Sequence, residues 1–100
     1  MSYKLIYTEL VLYDIADIKE YLSGFYPGTW PRFAQKLENG ISCLSSSPYM
    51  YEAYKSGSDY RRLIVENYLV FYKVKEPKKE VCIYRILHGS RDIQRFLNFN

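Results

Sequence analysis

The sequence is poor in the residues that build disulfide scaffolds and metal sites. Among 100 residues there are 2 cysteines, 1 histidine, 4 prolines and 5 glycines. Cys43 and Cys82 are far apart and form no CxxC pair, so a zinc site would need carboxylate ligands. We therefore expect both cysteines to be reduced and buried as packing residues, with no metal and no cofactor.

Long apolar runs are also missing. No stretch approaches the roughly 20 apolar residues that a membrane span needs, and the N-terminal residues contain no apolar signal-peptide core. These absences predict a cytoplasmic protein that does not enter the membrane. Hydrophobic residues make up 48% and charged residues 25% of the chain, which is typical of one globular domain spanning residues 1–100.

The charge that is present is unevenly distributed. Residues 1–54 hold 4 Lys and Arg against 6 Asp and Glu, and residues 55–100 hold 10 against 5, so the local net charges are −2 and +5. A basic half of this kind is typical of contact with a polyanion or an acidic segment. The 12 tyrosines combine apolar area with a polar tip, which suits binding surfaces as well as cores.

The first half of the sequence predicts a strand and two helices. Residues 3–7 are β-prone, and Thr8 precedes Glu9 as a helix N-cap should. A first apolar stripe at helical spacing, ending before Gly24, consists of Val11, Ile15, Ile18 and Leu22. Thr29 is the expected cap of the second helix, whose stripe consists of Phe33, Leu37, Ile41 and Leu44. The short connection predicts an antiparallel helical hairpin.

The second half changes to strand periodicity. The predicted strands are residues 60–65, 68–74 and 80–87, with a tight turn at 66–67 and a charged loop at 75–79. Ser90 is the expected cap of a short final helix that ends at residue 95 or 97. The order β-α-α-β-β-β-α predicts an α+β fold in which the helical hairpin packs on one face of a largely antiparallel four-stranded sheet.

The predicted strand at residues 68–74 is apolar on both faces, although the helical hairpin covers only one face of the sheet. Tyr68, Val70, Tyr72 and Val74 share one face, and Leu69, Phe71 and Lys73 share the other. Because neither face is polar, we expect an aromatic, arginine-flanked surface that a partner covers. A protein segment, a nucleic acid and the chain's own terminal helix are the three candidate occupants.

Three segments resemble the RelE/ParE toxin superfamily. They read YRRLIV at residues 60–65, NYLVFYKV at 67–74 and IYRILHGSRDI at 83–93. The resemblance implies a toxin of a type II toxin–antitoxin pair, of the kind associated with plasmid stabilisation, held inactive by a cognate antitoxin protein. RelE-like members cut mRNA at the ribosome, whereas ParE-like members inhibit growth by acting on DNA gyrase and are not nucleases.

The RelE-like alternative, an endoribonuclease, requires cations on the phosphate, a proton acceptor for the 2′-OH, a proton donor for the leaving oxygen, and aromatic rings for unstacked bases. The catalytic candidates under that alternative are Arg62, Arg85, His88 and Arg91. The candidates for binding nucleic acid or a partner are Arg61, Tyr72, Lys73 and Tyr84. Among these residues His88 is the one proton shuttle at neutral pH.

Three of the four catalytic candidates also have a structural interpretation. His88 could pack at the strand end with hydrogen bonds to the backbone, and Arg91 could pair with Asp92 at the start of a helix. Arg85 in mid-strand needs an anion, and an ion pair with an internal or antitoxin carboxylate is the interpretation that we favour.

Two departures from the nuclease pattern favour the ParE-like function. Ile64 stands where the resemblance implies a phosphate-binding arginine. The resemblance also implies a lysine-rich loop, but Lys55 is the only basic residue between Lys36 and Arg61. The sequence thus predicts a ParE-like inhibitor of gyrase. A RelE-like nuclease and a non-toxic binding module are the alternatives, and the exposed aromatic face would allow the free chain to form a homodimer.

Overall fold

The computed structural model describes residues 2–55, 58–90 and 93. These residues form β1 (Lys4–Tyr7), α1 (Glu9–Ser23), α2 (Thr29–Cys43), β2 (Arg61–Val65), β3 (Tyr68–Lys75) and β4 (Glu80–His88). The order agrees with the predicted α+β fold. The predicted final helix falls largely outside the described residues, of which only Ser90 and the buried Ile93 belong to that segment.

The two helices start and stop for different local reasons. The Thr8 hydroxyl accepts a hydrogen bond from the Val11 N–H, and Gly24 is the C-cap, so α1 has its predicted ends. In α2 the predicted cap is wrong by one residue. Gly28 is the N-cap, with a left-handed φ of 94° and no side-chain hydrogen bond, and Thr29 is the first helical residue.

The sheet has the order β1-β4-β3-β2 and is mixed. β1 runs parallel to β4, while β2–β3 and β3–β4 are antiparallel hairpins. On β3, Phe71 pairs with Arg85 and Tyr72 pairs with Ile83, so Tyr84 is an additional residue that forms a bulge in β4. A bulge shifts the alternation of side chains along a strand. This bulge is at the binding candidate Tyr84, next to the catalytic candidate Arg85.

Both helices pack on one face of the sheet. The buried core between them consists of Val11 and Ile18 of α1, Phe33, Leu37 and Ile41 of α2, Leu44, and the strand residues Leu63, Val65, Val70, Tyr72, Val81, Ile83 and Ile86. A Cβ on Gly40 would lie 3.1 Å from Leu63 Cδ2, so α2 lies close against β2. The two predicted helical stripes thus face the core.

The opposite surface of the sheet, here called the far face, is partly covered by the chain itself. Phe71, Leu87 and Ile93 form a second buried cluster there, and Tyr54 and Tyr60 pack against it. The chain itself is therefore one occupant of the aromatic surface that was expected to be covered. Tyr54 and Tyr60 from the loop before β2, together with Ile93, cover part of this face, because its large apolar side chains would otherwise meet water.

The cysteines differ in their environment. Both are free thiols, but Cys43 is exposed and Cys82 is half-buried. The prediction that both are buried is wrong for Cys43, which ends α2 one residue before the fully buried Leu44. Within the part of the chain that the structure describes, no helix is long and apolar enough to span a membrane.

Candidate functional site

Arg85 is bound to α1. Its Nε lies 2.7 Å from Asp14 Oδ2 and its Nη2 lies 2.8 Å from Asp14 Oδ1, and the Ile86 N–H donates to Oδ2 at 3.0 Å. The side chains are only 17% and 11% exposed, and the hydrogen bond to Asp14 raises the pKa of the Arg85 guanidinium. β1 pairs with β4 only as far as Ile83, so the edge of β4 beyond Ile83 is open to α1. Arg85 thus forms the internal ion pair that we favoured from the sequence.

His88 lies on the helix side of the sheet. Its ring is 5.3 Å from that of Tyr68, and the Tyr68 ring is 5.2 Å from that of Phe33 in α2. The Ser90 N–H donates to His88 Nδ1 at 3.1 Å, and Ser90 Oγ lies 2.7 Å from the same nitrogen. Because Nδ1 accepts, the neutral imidazole carries its proton on Nε2.

A cleft of about 660 Å³ adjoins His88 between α1 and the end of β4. Its lining residues are Asp14, Asp17, Ile18, Tyr21, Tyr68, Arg85, Ile86, Leu87, His88 and Ser90. The charged side chains in this lining are the carboxylates of Asp14 and Asp17 and the guanidinium of Arg85, which Asp14 binds. A scissile phosphate would therefore meet no second guanidinium among the described residues of this cleft.

Arg62 lies on the other side of the sheet. It stands opposite Phe71 in the β2–β3 register, and its guanidinium lies 5.8 Å from the centre of the Tyr54 ring, which packs on Phe71. Ile64, two residues further along the same face, is 58% exposed. Strand alternation therefore places Arg62 and Ile64 together on the face away from His88.

Tyr72 is not available for stacking on a base. Its side chain is fully buried in the core between helices and sheet, and its hydroxyl donates to the Pro48 carbonyl oxygen at 2.9 Å. Burial raises the pKa of Tyr72 to about 12. The expected binding role of Tyr72 is therefore wrong, because this side of β3 faces the helices and the loop that contains Pro48.

The remaining binding candidates meet at one corner of the sheet. Lys73 Nζ lies 4.5 Å from the centre of the Tyr60 ring and 5.3 Å from that of Tyr84, and the two rings are 5.5 Å apart, edge to face. β3 continues past the start of β2, so its outer edge is open from Lys73 to its end at Lys75. Lys75 Nζ lies 6.0 Å from the Tyr84 ring centre.

Arg61 completes this corner. Its Nη1 donates to the Tyr51 carbonyl oxygen at 2.6 Å, and its guanidinium lies 4.9 Å from the centre of the Tyr49 ring. Arg61, Lys73 and Lys75, together called the cationic corner, line a cleft of about 380 Å³ with Tyr49, Ala53, Ser58, Asp59, Val74 and Glu76. Lys75 is not among the candidates predicted from the sequence, because the predicted hairpin loop at residues 75–79 includes it. The alternation from Lys73 would have placed it on the same face.

Glu76 anchors the rim of that cleft. Its carboxylate accepts hydrogen bonds from the hydroxyls of Tyr3 and Tyr49, and Oε1 lies 3.6 Å from Lys79 Nζ. These contacts, the hydrogen bond from Tyr3 first, lower the pKa of Glu76. The β3–β4 hairpin is thereby joined to the start of β1 and to the loop before β2.

Arg91 lies outside the described residues, so its catalytic role stays a prediction. Among the residues that are described, no group of three His, Cys, Asp or Glu side chains is arranged to hold a metal ion. The candidates thus divide into three places: His88 and Arg85 beside α1, Arg62 on the far face, and Arg61, Lys73 and Tyr84 at the corner.

Comparison with solved structures finds this fold in toxin–antitoxin complexes. The "Chromosomal ParDE TA system from P. aeruginosa" aligns with a TM-score of 0.72 and 19% identity, covering 86% of this chain and 95% of that one. The toxin–antitoxin complex RelBE2 from Mycobacterium tuberculosis aligns with a TM-score of 0.64 and 19% identity, covering 88% and 99%. The RelB–RelE complex from Methanococcus jannaschii aligns with a TM-score of 0.61 and 16% identity, covering 92% and 98%.

Sequence comparison is more specific. No curated protein sequence matches the chain significantly. The family model described as the ParE toxin of the type II toxin–antitoxin system, parDE, matches residues 5–93, from β1 to the buried Ile93. The chain therefore belongs to the ParE toxin family of type II toxin–antitoxin systems.

Proposed function

We propose that this ParE-type toxin arrests growth by binding DNA gyrase and has no RNA-cleaving centre. The observation that carries the proposal is the separation of the nuclease candidates. Cleavage by a 2′-OH needs a cation, a proton acceptor and a proton donor around one phosphate. His88 faces the helices and Arg62 faces the far side of the sheet, so the sheet lies between them.

Arg85 supports the same conclusion. Its guanidinium is held by both oxygens of Asp14 and is mostly buried. Releasing it toward a phosphate would leave the Asp14 carboxylate without its cation in a partly buried site, which costs several kcal/mol by the usual order of magnitude. Arg85 is therefore better suited to fixing α1 than to binding a substrate.

A RelE-like ribonuclease is the second candidate function. It is favoured by the position of His88, whose ring borders the cleft of about 660 Å³ and carries a defined Nε2–H. A histidine in an open cleft can move a proton, and Tyr68 and Tyr21 in the same lining could contact a base. This candidate lacks a described arginine that is free to hold the phosphate.

A cognate antitoxin is the partner that we expect for the resting state. α1 exposes four large apolar side chains by more than half of their surface, Leu10 at 57%, Leu12 at 55%, and Tyr13 and Tyr21 each at 61%. An apolar stripe of this kind on a small protein marks a surface for another chain. We expect the antitoxin to cover this surface and part of the sheet.

Induction of the free chain in bacteria separates the functions. We expect gyrase-linked DNA breaks and altered plasmid topology, with mRNA 5′ ends that match those of uninduced cells. Codon-phased mRNA cuts with normal plasmid topology would instead establish the ribonuclease. Growth unaffected by full expression of soluble chain would overturn both and leave a non-toxic binding module.

A further inference from the structure

We propose that the cationic corner binds the phosphate backbone of DNA, and that the toxin makes this contact when it engages gyrase on DNA. The second part rests on the proposed function, whereas the first can be tested with the isolated chain. The relevant residues are Arg61, Lys73 and Lys75 around the cleft of about 380 Å³.

The three cations of the corner lack acidic partners. Within the described residues, none of them lies within 4.0 Å of a carboxylate oxygen. Elsewhere in the molecule, Arg32 and Lys36 share Glu66, and Arg85 binds Asp14. Three cations against the two carboxylates of Asp59 and Glu76 leave the lining of this cleft with an excess of positive charge, which attracts an anion from solution.

Tyrosine rings position these cations. Lys73 lies over two rings, those of Tyr60 and Tyr84, and Arg61 lies over the Tyr49 ring. A ring face orients a cation and leaves its N–H groups able to reach a second ligand. Arg61 is further fixed by its hydrogen bond to the Tyr51 carbonyl oxygen. The side chains thus need little reordering before an anion binds.

Acidic residues near the corner are few or already engaged. Glu76 accepts from two tyrosine hydroxyls and pairs with Lys79, and Asp59 is exposed in the lining. Glu80 stands opposite Lys75 in the β3–β4 register without a salt bridge to it. Lys73 stands opposite Cys82 in the same register, so no acidic residue is its direct cross-strand partner on β4.

DNA phosphate fits this corner better than an acidic peptide. Two lysines and one arginine, with the Ser58 hydroxyl beside them, are the groups that contact phosphates without reading sequence. The corner lies at an open strand end rather than in an enclosed pocket, as suits a long polyanion. The proposed target also acts on DNA, so duplex phosphates are present where the toxin binds.

The test uses the full chain and a fluorescein-labelled 20-base-pair DNA duplex, with binding followed by anisotropy across a salt series. The double variant Lys73→Gln/Lys75→Gln removes two charges from the corner. The matched control Lys19→Gln/Lys78→Gln removes two charges from exposed positions on α1 and the hairpin tip. Circular dichroism and thermal unfolding establish that all three proteins are folded.

We expect the corner variant to bind the duplex about tenfold more weakly at moderate salt, and the control to bind within about twofold of the parent. Each duplex phosphate contact contributes about 0.9 to the salt slope, so the slope should fall by about 1.8 in the corner variant alone. Equal losses in the two variants would overturn the proposal. Tighter binding of a polyglutamate peptide or of single-stranded RNA than of the duplex would overturn the assignment to DNA.

Gyrase assays separate DNA binding by the cationic corner from the use of that contact in toxicity. If the corner variant loses DNA binding and also inhibits gyrase supercoiling about tenfold less well, the contact serves toxicity. If it loses DNA binding and inhibits gyrase fully, the DNA contact has no part in toxicity: the second part of the proposal is wrong, while the DNA site and the proposed function stand. If the parent chain binds DNA but leaves gyrase unaffected, the DNA site stands and the proposed function is wrong.

Discussion

At the scale of single residues, carboxylates decide how the elements are joined. Asp14 holds Arg85 and the Ile86 N–H, and Glu66 in the β2–β3 turn holds Arg32 and Lys36 of α2. Each of these acids therefore ties a helix to the sheet. The two pairs differ in burial, which makes their contributions to stability different in size and in pH dependence.

Replacing Asp14 should be costly. Asp14→Ala removes the carboxylate that accepts from the Arg85 guanidinium and the Ile86 N–H, in a site where Arg85 is 17% exposed. We expect a loss of about 3 kcal/mol in the free energy of unfolding, measured by urea denaturation. Asp17→Ala, at an exposed position on the same helix, should change the same quantity by less than about 0.5 kcal/mol. Equal effects of the two substitutions would contradict this role of Asp14.

Glu66 should give the fold an acid-sensitive contact. The hydrogen bond from Lys36 is the largest cause of the lowered pKa of Glu66, so the folded value lies below 4.5. A carboxyl with a lowered folded pKa stabilises the fold above the unfolded value and loses that contribution as the pH falls through the folded one. We expect Glu66→Gln to lose less stability than the parent between pH 7 and pH 3, in urea titrations at both values.

The size of that difference is limited by solvent. The Arg32 side chain is 58% exposed and the Glu66 side chain 30% exposed, so the difference should stay below about 1 kcal/mol. Lys36→Gln should reduce the pH dependence in the same direction. A pH profile that is identical in all three proteins would show that the turn and α2 are not coupled through Glu66.

At the scale of elements, the helices follow local signals and the strands follow the sheet. The stripes of α1 and α2 and the Thr8 cap could be read from spacing and capping chemistry, because helix hydrogen bonds are local. The bulge at Tyr84 could not be predicted from the sequence. It arises because the adjacent residues Phe71 and Tyr72 of β3 pair with Arg85 and Ile83 of β4, so that Tyr84 is an additional residue. It places both Ile83 and Ile86 in the helix-side core and Leu87 in the far-face cluster, which strict alternation does not predict.

The turn between the helices depends on Gly28. Its φ of 94° is in the left-handed region, and an added Cβ would meet no atom within 4 Å. Gly28→Ala should therefore lower the free energy of unfolding by about 1 kcal/mol or more through backbone strain alone. Gly24→Ala is the matched control, because Gly24 has a φ of −78° and its added Cβ would lie 3.4 Å from the Tyr21 carbonyl oxygen. We expect the control to be near neutral in thermal unfolding, and equal losses would contradict this explanation.

At the scale of the whole molecule, the sheet divides the functional candidates. The helix side carries His88 in its cleft, and the far face and corner carry Arg62, Lys73 and Tyr84. The resemblance in sequence brings all of them together in one pattern, but strand alternation and the bulge send them to different sides. The candidate residues thus lie on two separate surfaces of the chain, one on each side of the sheet.

This separation predicts that His88 is dispensable for toxicity. We expect growth inhibition after induction of His88→Ala to be within about tenfold of that caused by the parent chain. The reason is that the imidazole faces α1 and meets no free guanidinium among the described residues. The folded state of the variant is checked by thermal unfolding, since the Ser90 N–H loses its acceptor. Loss of toxicity from a folded variant, together with loss of mRNA cuts, would support the ribonuclease.

The amino-acid order alone established the element order, the helical hairpin, the two apolar stripes and the family resemblance, because each depends on spacing along the chain. Only the folded chain decided which candidates meet. Tyr72 is buried and Arg85 is neutralised, whereas Arg61, Lys73 and Lys75 gather at an open strand end. The physical reason is that contacts between residues 71 positions apart, such as Asp14 and Arg85, depend on strand register and edge geometry, which leave no periodic trace in the sequence.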